Sequence, residues 1–193
     1  MIGWIQKRRT IQHYNQSAKV YENQYCEEQE AKIKTALKGF TLERGSIALD
    51  VGCGTGMLFS FIADRVKLVV GIDLSTSIIK KAKKRVNEND TVALIRADAD
   101  FMPFLSESFD SVFAITLIQN TPRHSRTLGE MKRVTKKNSI IVITGLKKAF
   151  SQSKFTRLLR ETELEIKSLN VNEKLRDYVA VCLKSERQHL KEP

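Results

Sequence analysis

Residues 46–56 read Ser-Ile-Ala-Leu-Asp-Val-Gly-Cys-Gly-Thr-Gly, and this stretch decides the fold of the chain. A short apolar run that contains one acid, Asp50, breaks into alternating glycines at Gly52, Gly54 and Gly56. Glycine permits backbone angles that other residues avoid and lets a ligand approach bare amide groups near the start of a helix. The stretch therefore predicts a strand, a tight turn and a helix that together form a nucleotide-binding corner.

The spacing of the glycines argues against a dinucleotide fingerprint. In G-x-G-x-x-G the third glycine comes three residues after the second, whereas here it comes after two. The next apolar run, residues 68–72, ends in Asp73, 17 residues beyond Gly56. A carboxylate at the tip of the second strand can accept hydrogen bonds from both hydroxyls of a ribose. The pattern therefore predicts a ribose-binding acid and disfavours a nicotinamide oxidoreductase.

Several segments together carry a resemblance to a known family. Residues 49–56 and 71–75 resemble the corresponding motifs of the class I S-adenosylmethionine-dependent methyltransferases. The likeness continues in residues 97–104 and 108–115 and extends over most of the chain. It implies S-adenosyl-L-methionine as the cofactor and methyl transfer as the reaction, and it leaves the acceptor unidentified.

The resemblance also implies roles for individual residues at the cofactor site. Asp50 would orient the glycine turn, Asp73 would bind the ribose hydroxyls, and Asp98 would accept a hydrogen bond from the adenine amino group. Tyr14 belongs to a tyrosine pattern that resembles the leading segment covering the methionine end of the cofactor. The remaining cofactor contacts implied are Gly52, Cys53, Gly54, Leu74, Ala99 and Thr116. Cys53 is interpreted as a small side chain between the glycines, because a redox or nucleophilic role lacks a base nearby in the sequence.

Residues 116–124 form the predicted acceptor loop, because they follow the fourth strand, where this family places groups that face the substrate. Gln119, Asn120 and His124 are candidate acceptor contacts. The loop lacks the Asn-Pro-Pro-aromatic motif of enzymes that methylate planar amino groups. Residues 120–122, Asn-Thr-Pro, are also good turn residues, and Pro122 is suited to the first position of the next helix. No catalytic residue is predicted.

The alternation of predicted elements indicates a single α/β domain. We expect a Rossmann-like, seven-stranded, mostly parallel sheet with helices on both faces, an antiparallel last strand and additional N-terminal helices. Residues 1–45 would form a helical lid, residues 46–184 the core and residues 185–193 a polar tail. The predicted strands are 46–51, 68–72, 91–95, 110–116, 139–144, 163–169 and 178–184. The predicted helices of the core lie near 55–65, 75–87, 124–135 and 151–161.

Charge bears on the possible partners. The net charge is +11, and residues 116–193 carry 17 basic and 8 acidic side chains. Lysine and arginine attract phosphates without reading sequence, so RNA or an RNA-associated acceptor is slightly favoured. A generally basic composition explains the same excess, and the basic run 80–85 is expected on the outer face of an amphipathic helix. The alternatives are a small-molecule methyltransferase and a non-catalytic module that binds S-adenosylmethionine or RNA.

The remaining expectations concern location and assembly. Three cysteines without pairing or zinc spacing predict reduced thiols, a cytoplasmic protein and no bound metal. We expect neither a signal peptide nor a membrane-spanning helix. We expect a monomer or weak dimer. The chain has few elements beyond the core fold, which, by analogy with some compact RNA-modifying members of the family, leaves room for a small partner subunit.

Overall fold

The computed structural model describes residues 4, 5, 7, 8, 12, 26–86 and 91–184. Its seven strands are formed by short runs rich in Val and Ile, which pack well on a pleated surface. In chain order they are β1 (Ile47–Val51), β2 (Leu68–Asp73), β3 (Val92–Arg96), β4 (Phe109–Ala114), β5 (Thr135–Leu146), β6 (Glu165–Asn170) and β7 (Asp177–Leu183).

The strands form one sheet in the order β3-β2-β1-β4-β5-β7-β6. The five strands from β3 to β5 run parallel, with Leu49 opposite Val70 on one side and Val112 on the other. Strand β7 is antiparallel to both β5 and β6. The predicted seven-stranded, mostly parallel sheet with an antiparallel last strand is therefore confirmed.

Five α-helices accompany the sheet in the described part of the chain. Residues 4, 5, 7, 8 and 12 also have helical backbone, while the predicted lid as a whole extends over residues outside the described ranges. The helices are α1 (described over 26–37), α2 (Phe59–Ile62), α3 (Thr76–Arg85), α4 (His124–Val134) and α5 (Gln152–Glu161), and a 3₁₀ turn covers Ile118–Asn120.

The boundaries differ most from the prediction at α2 and β5, and Pro122 does not have the position predicted for it. Helix α2 is four residues long instead of the predicted eleven, because the glycine turn extends through residues 52–58 before the helix begins. Strand β5 begins earlier than predicted, at Thr135. Pro122 does not start α4, because Arg123 is the residue at the N-cap.

The core has two layers, one on each face of the sheet. Neighbouring residues on β4 point in opposite directions, so that Val112 joins one cluster and Phe113 the other. Helices α4 and α5 cover the Val112 face, whereas α1, α2 and α3 cover the Phe113 face. On α3 the buried residues are Ile78 and Ala82, and the lysines and the arginine of the run 80–85 lie on the outer, more exposed side, as predicted. No helix in the described ranges is both long and apolar enough to cross a membrane.

Candidate functional site

A cavity of about 230 Å³ opens at the carboxyl edge of the parallel strands. It lies where the strand order of the sheet reverses. Strands β2 and β3 follow on one side of β1, and strands β4 and β5 follow on its other side. Ligands of open α/β sheets bind at this switch point. The residues of the sequence-predicted site that line the cavity are Asp50, Gly52, Cys53, Gly54, Asp73, Leu74, Asp98, Ala99, Thr116 and Asn120.

The glycine corner forms the floor of this cavity. Gly52 and Gly54 have φ values of +70° and +55°, in the left-handed region that favours glycine. A Cβ atom on Gly52 would lie 2.7 Å from Leu117 Cδ1, whereas one on Gly54 would meet nothing within 4 Å. Gly54 therefore presents bare backbone to the open cavity, a surface against which a ligand can lie closely.

Asp73 is fixed at the end of β2 by two backbone groups. The Gly54 N–H donates to Oδ2 at 3.2 Å and the Ser75 N–H donates to Oδ1 at 2.8 Å. Burial raises the pKa of Asp73, and these backbone hydrogen bonds oppose the rise. Each oxygen has spare acceptor capacity, since a carboxylate oxygen has two lone pairs. A vicinal diol, which offers two adjacent O–H donors, matches this carboxylate.

Asp50 is buried at the end of β1, with 3% of its surface exposed. Burial, followed by repulsion from Asp73, raises the pKa of Asp50 to about 8. In the ligand-free chain its carboxyl group is therefore mainly protonated at neutral pH. A cationic ligand in the cavity would favour the ionised form.

Asp50→Asn is expected to stabilise the ligand-free chain by an amount that grows with pH. Below the ordinary pKa of 3.8, the folded and unfolded states are both protonated at Asp50. As the pH rises, the unfolded state loses this proton while the folded state keeps it up to about pH 8, so wild-type stability falls. Asparagine has no such proton, and urea unfolding at about pH 8 should give a gain of about 2 kcal/mol or more, with little gain near pH 4.

The exposed Asp64 offers a matched control for this substitution. Asp64→Asn makes the same chemical change outside the cavity and should leave the pH profile of unfolding free energy parallel to that of wild type. Parallel profiles for Asp50→Asn as well would contradict the raised pKa.

Cys53 lies between the glycines and is almost fully buried. Burial, with repulsion from Asp50 and Asp73, raises the pKa of its thiol. A thiol that stays protonated is a poor nucleophile. Its position supports the interpretation of Cys53 as a small side chain that fills the corner.

One side of the cavity is formed by residues that directly follow β2 and β3, namely Leu74, Ala97, Asp98 and Ala99. The Asp98 carboxylate accepts hydrogen bonds from the Lys7 ammonium, at 2.6 Å to Oδ1 and 2.8 Å to Oδ2, and from the Asp100 N–H at 2.9 Å. Lys7 was not predicted as a site residue, because it lies 91 residues away and reads in sequence only as part of a basic N-terminus.

The opposite side of the cavity is formed by Thr116 and α1. Thr116 has a φ of +59°, which is strained for a β-branched residue. Its N–H donates to Thr144 Oγ1 at 2.7 Å, and its hydroxyl donates to Gln29 Oε1 at 2.9 Å and accepts from Lys32 Nζ at 3.3 Å. Its carbonyl accepts from Asn120 Nδ2 at 2.9 Å. Together, these hydrogen bonds hold the strained backbone of Thr116 in place.

Lys32 is a buried cation that the sequence analysis did not identify. Its side chain is 3% exposed, and Nζ lies 3.0 Å from Asp177 Oδ1 and 3.4 Å from Glu28 Oε1. Asp177 is fully buried, and burial raises its pKa although Lys32 opposes the rise. Lys32 precedes Ala36 by one helical turn on the buried face of α1. In the sequence, the signal that could have identified Lys32 is its place among apolar residues on one face of a helix.

Two of the predicted acceptor contacts, Gln119 and His124, lie outside the cavity lining. His124 packs against Phe150, with ring centroids 5.3 Å apart, and burial and then the nearby Lys154 lower its pKa. Neither His124 nor Gln119 lines the cavity. Tyr14 lies outside the described residues. Within those ranges, no group of His, Cys, Asp and Glu is arranged to hold a metal ion.

The sheet order and the glycine corner define the Rossmann-like class of α/β proteins. Comparison with known families identifies residues 49–143 as a methyltransferase domain (Methyltransf_11). Residues 49–143 belong to this domain family, and the match supports the class I S-adenosylmethionine-dependent methyltransferase family for the chain.

Two curated relatives and one solved structure illustrate the similarity. A phosphatidylethanolamine N-methyltransferase of Cereibacter sphaeroides is 36% identical over 103 residues, which are 52% of this chain and 50% of that protein. A demethylmenaquinone methyltransferase of Staphylococcus saprophyticus is 31% identical over 112 residues, which are 56% of this chain and 48% of that protein. The chain thus spans about half the length of these relatives.

The solved structure is a complex between the Haloferax volcanii Trm112 methyltransferase activator and a methyltransferase. One of its chains has a TM-score of 0.72 and 13% identity, and the alignment covers 87% of this chain and 93% of that one. At this level of identity the similarity concerns the fold alone.

Proposed function

We propose that this chain is a methyltransferase that uses S-adenosyl-L-methionine. The observation that carries the proposal is Asp73, whose carboxylate is fixed by the Gly54 and Ser75 N–H groups at the wall of the cavity. An acid held in this way beside bare glycine backbone suits a ribose, and the match of residues 49–143 to a methyltransferase family supports an adenosyl sulfonium as the ligand.

The residues around the cavity fit this cofactor. Asp73 would hold the ribose hydroxyls, Asp98 would accept from the adenine amino group, and Gly52 to Gly54 would lie beneath the methionine part. Leu74 and Ala99 would flank the adenine. When bound, the cofactor supplies a methyl group on a positively charged sulfur, which an acceptor atom displaces in line.

The chain's own contribution to the reaction is alignment and exclusion of water. Gln29 and Ile33 of α1 and Thr116 after β4 line the cavity opposite the Asp98 side. Since Thr116 is held through its N–H, carbonyl and hydroxyl, this wall is preorganised. Holding the two reactants together in a dry site lowers the barrier without requiring a general base from the protein.

Two classes of acceptor follow from different observations. The excess of basic side chains in residues 116–193 supports RNA or an RNA-associated acceptor. The names of the two curated relatives, and the cover that α1 gives to the Thr116 side of the cavity, support a small molecule. Asn120 lines the cavity, whereas Gln119 and His124 do not, so Asn120 is the strongest candidate among the three predicted acceptor contacts.

We also propose a cytoplasmic location and a small partner subunit. Cys26, Cys53 and Cys182 are all free thiols, as expected in a reducing compartment. The structural neighbour that was solved with the Trm112 activator supports the idea of a partner for a chain of this fold.

The proposal predicts saturable binding of S-adenosylmethionine followed by methyl transfer. Calorimetric titration should give one site per chain, and incubation with cofactor carrying a labelled methyl group should label one pool of a cell extract. Label in RNA, in protein or in the small-molecule fraction identifies the acceptor class. If the purified chain labels an isolated acceptor pool only when clarified lysate is also present, this result supports the partner subunit.

Two outcomes contradict parts of this proposal. Binding without transfer to any pool, with or without lysate, would favour the non-catalytic module. Failure of the purified chain to bind the cofactor at millimolar concentration would overturn the assignment.

A further inference from the structure

Of the five described residues that precede α1, four are exposed and one is buried. Trp4 and Ile5 are 52% and 51% exposed, and Arg8 and Gln12 are exposed as well. Lys7, between them, is only 8% exposed. A lysine is almost never buried unless its charge is paired. The burial of Lys7 therefore reflects a specific ionic contact with the core.

That contact is a bridge between two carboxylates. The Lys7 ammonium donates to Asp98 Oδ1 and Oδ2 and also to Asp100 Oδ2, the last at 2.6 Å. Asp100 is fully buried and also accepts from Thr127 Oγ1 at 2.5 Å and from the Arg123 guanidinium at 3.2 Å. The anchor on the core side is thus rigid, and the ammonium relieves the repulsion between the two acids.

Lys7 also forms part of the cavity wall, beside Ala97, Asp98 and Ala99. Within the described residues, Asp98 Oδ2 accepts only from Lys7, so this oxygen retains a lone pair for a further donor. Lys7 consequently fixes the orientation of the Asp98 carboxylate without using all of its acceptor capacity. The same contact brings Lys7 itself to this side of the cavity.

We propose that Lys7 is a positioning residue for the nucleoside end of the cofactor. It orients Asp98 toward the adenine amino group, and the same ionic contact ties Lys7 and its described neighbours, Trp4 and Arg8, to the core. This inference rests on the proposed function, because it takes Asp98 as the acceptor for that amino group. It adds a residue that the glycine corner and the strand ends do not supply.

The test compares Lys7→Met with Arg8→Met, an equal loss of charge at the exposed neighbouring position. Trp4 is the single tryptophan of the chain and lies three residues before Lys7, so its fluorescence reports on the mobility of the chain next to Lys7. In the cofactor-free chain, Lys7→Met should lower the fluorescence anisotropy of Trp4 and increase its quenching by acrylamide. Arg8→Met should leave both unchanged, and Lys7→Arg should restore much of the wild-type signal.

The second measurement concerns ligand recognition. Lys7→Met should weaken binding of S-adenosylhomocysteine about tenfold, mainly through faster dissociation, which is the size of effect expected from one charge-assisted hydrogen bond. Binding of S-inosylhomocysteine, which lacks the amino group, should change less. The preference for the adenosyl ligand over the inosyl ligand therefore falls in Lys7→Met, an effect that a purely structural role would not produce.

The outcomes separate this inference from the proposed function. If wild type binds S-adenosylhomocysteine but Lys7→Met keeps wild-type affinity, wild-type preference or wild-type Trp4 anisotropy, the role of Lys7 is wrong and the proposed function stands. If wild type binds neither ligand, the proposed function fails and this role of Lys7 fails with it.

Discussion

Asp73→Asn is expected to weaken the binding of S-adenosylmethionine by at least about 100-fold, since it removes charge-assisted hydrogen bonds worth about 1.5–3 kcal/mol each. The carboxylate accepts from the Gly54 and Ser75 N–H groups and has capacity left for two hydroxyls. An asparagine side chain has one acceptor oxygen and one NH₂ group, so one of the two backbone N–H groups would face a donor. The glycine corner would lose support at the same time as the ribose loses its acceptor.

The measurement is a calorimetric titration of wild type, Asp73→Asn and Asp64→Asn with S-adenosylmethionine. Asp64→Asn changes an exposed acid outside the cavity and should bind as wild type does. Circular dichroism and urea unfolding establish that Asp73→Asn is folded, as expected for an isosteric change. A folded Asp73→Asn chain with affinity within a few-fold of wild type would show that the ribose does not lie on this carboxylate.

The fold follows closely from the sequence because its signals are local. Each parallel strand is a short apolar run, and a run buried on both faces needs no partner information to be recognised. The sequence located β1 within one residue of its observed limits, Ile47–Val51. It failed at α2, since the apolar pattern from residue 57 onward does not reveal how far the left-handed backbone at Gly54 and Gly56 extends the turn.

In the candidate site too, the residues with local sequence signals were predicted and those brought in from distant helices were not. Asp50, Gly54 and Asp73 come from strand ends joined by short connections, so their position at the cavity follows from their place in the chain. Lys7 and Lys32 reach the site from helices that precede the sheet, across separations of 91 and 84 residues. In such cases the decisive quantity is the burial of a charge, and burial becomes visible only once the chain is folded.

The ion pair between Lys32 and Asp177 gives the second large effect. Lys32→Met leaves the fully buried Asp177 without its cation, and breaking a buried pair in this way typically costs about 3–5 kcal/mol. Urea unfolding near pH 8 should show a loss of that size. Thr116 would lose one of its contacts and keep those to Gln29, Thr144 and Asn120.

The cost should depend on pH, and the direction follows from Asp177. Burial already raises the pKa of this carboxyl above its ordinary value, and loss of Lys32 raises it further. A group whose folded pKa exceeds its unfolded pKa contributes stability at low pH and loses it as the pH rises. Lys32→Met should therefore be destabilised less at low pH, where Asp177 is protonated, and most severely near pH 8.

Two further variants identify the unpaired charge as the cause. Lys34→Met removes a mostly exposed lysine from the same helix, paired with Glu30 at 3.0 Å, and should leave stability nearly unchanged. Adding Asp177→Asn to Lys32→Met removes the orphaned carboxylate, so the double variant should recover most of the loss and lose its pH dependence. If the double variant is no more stable than Lys32→Met at any pH, the cost comes from packing of the lysine stem, and the buried charge pair does not fasten α1 to the sheet.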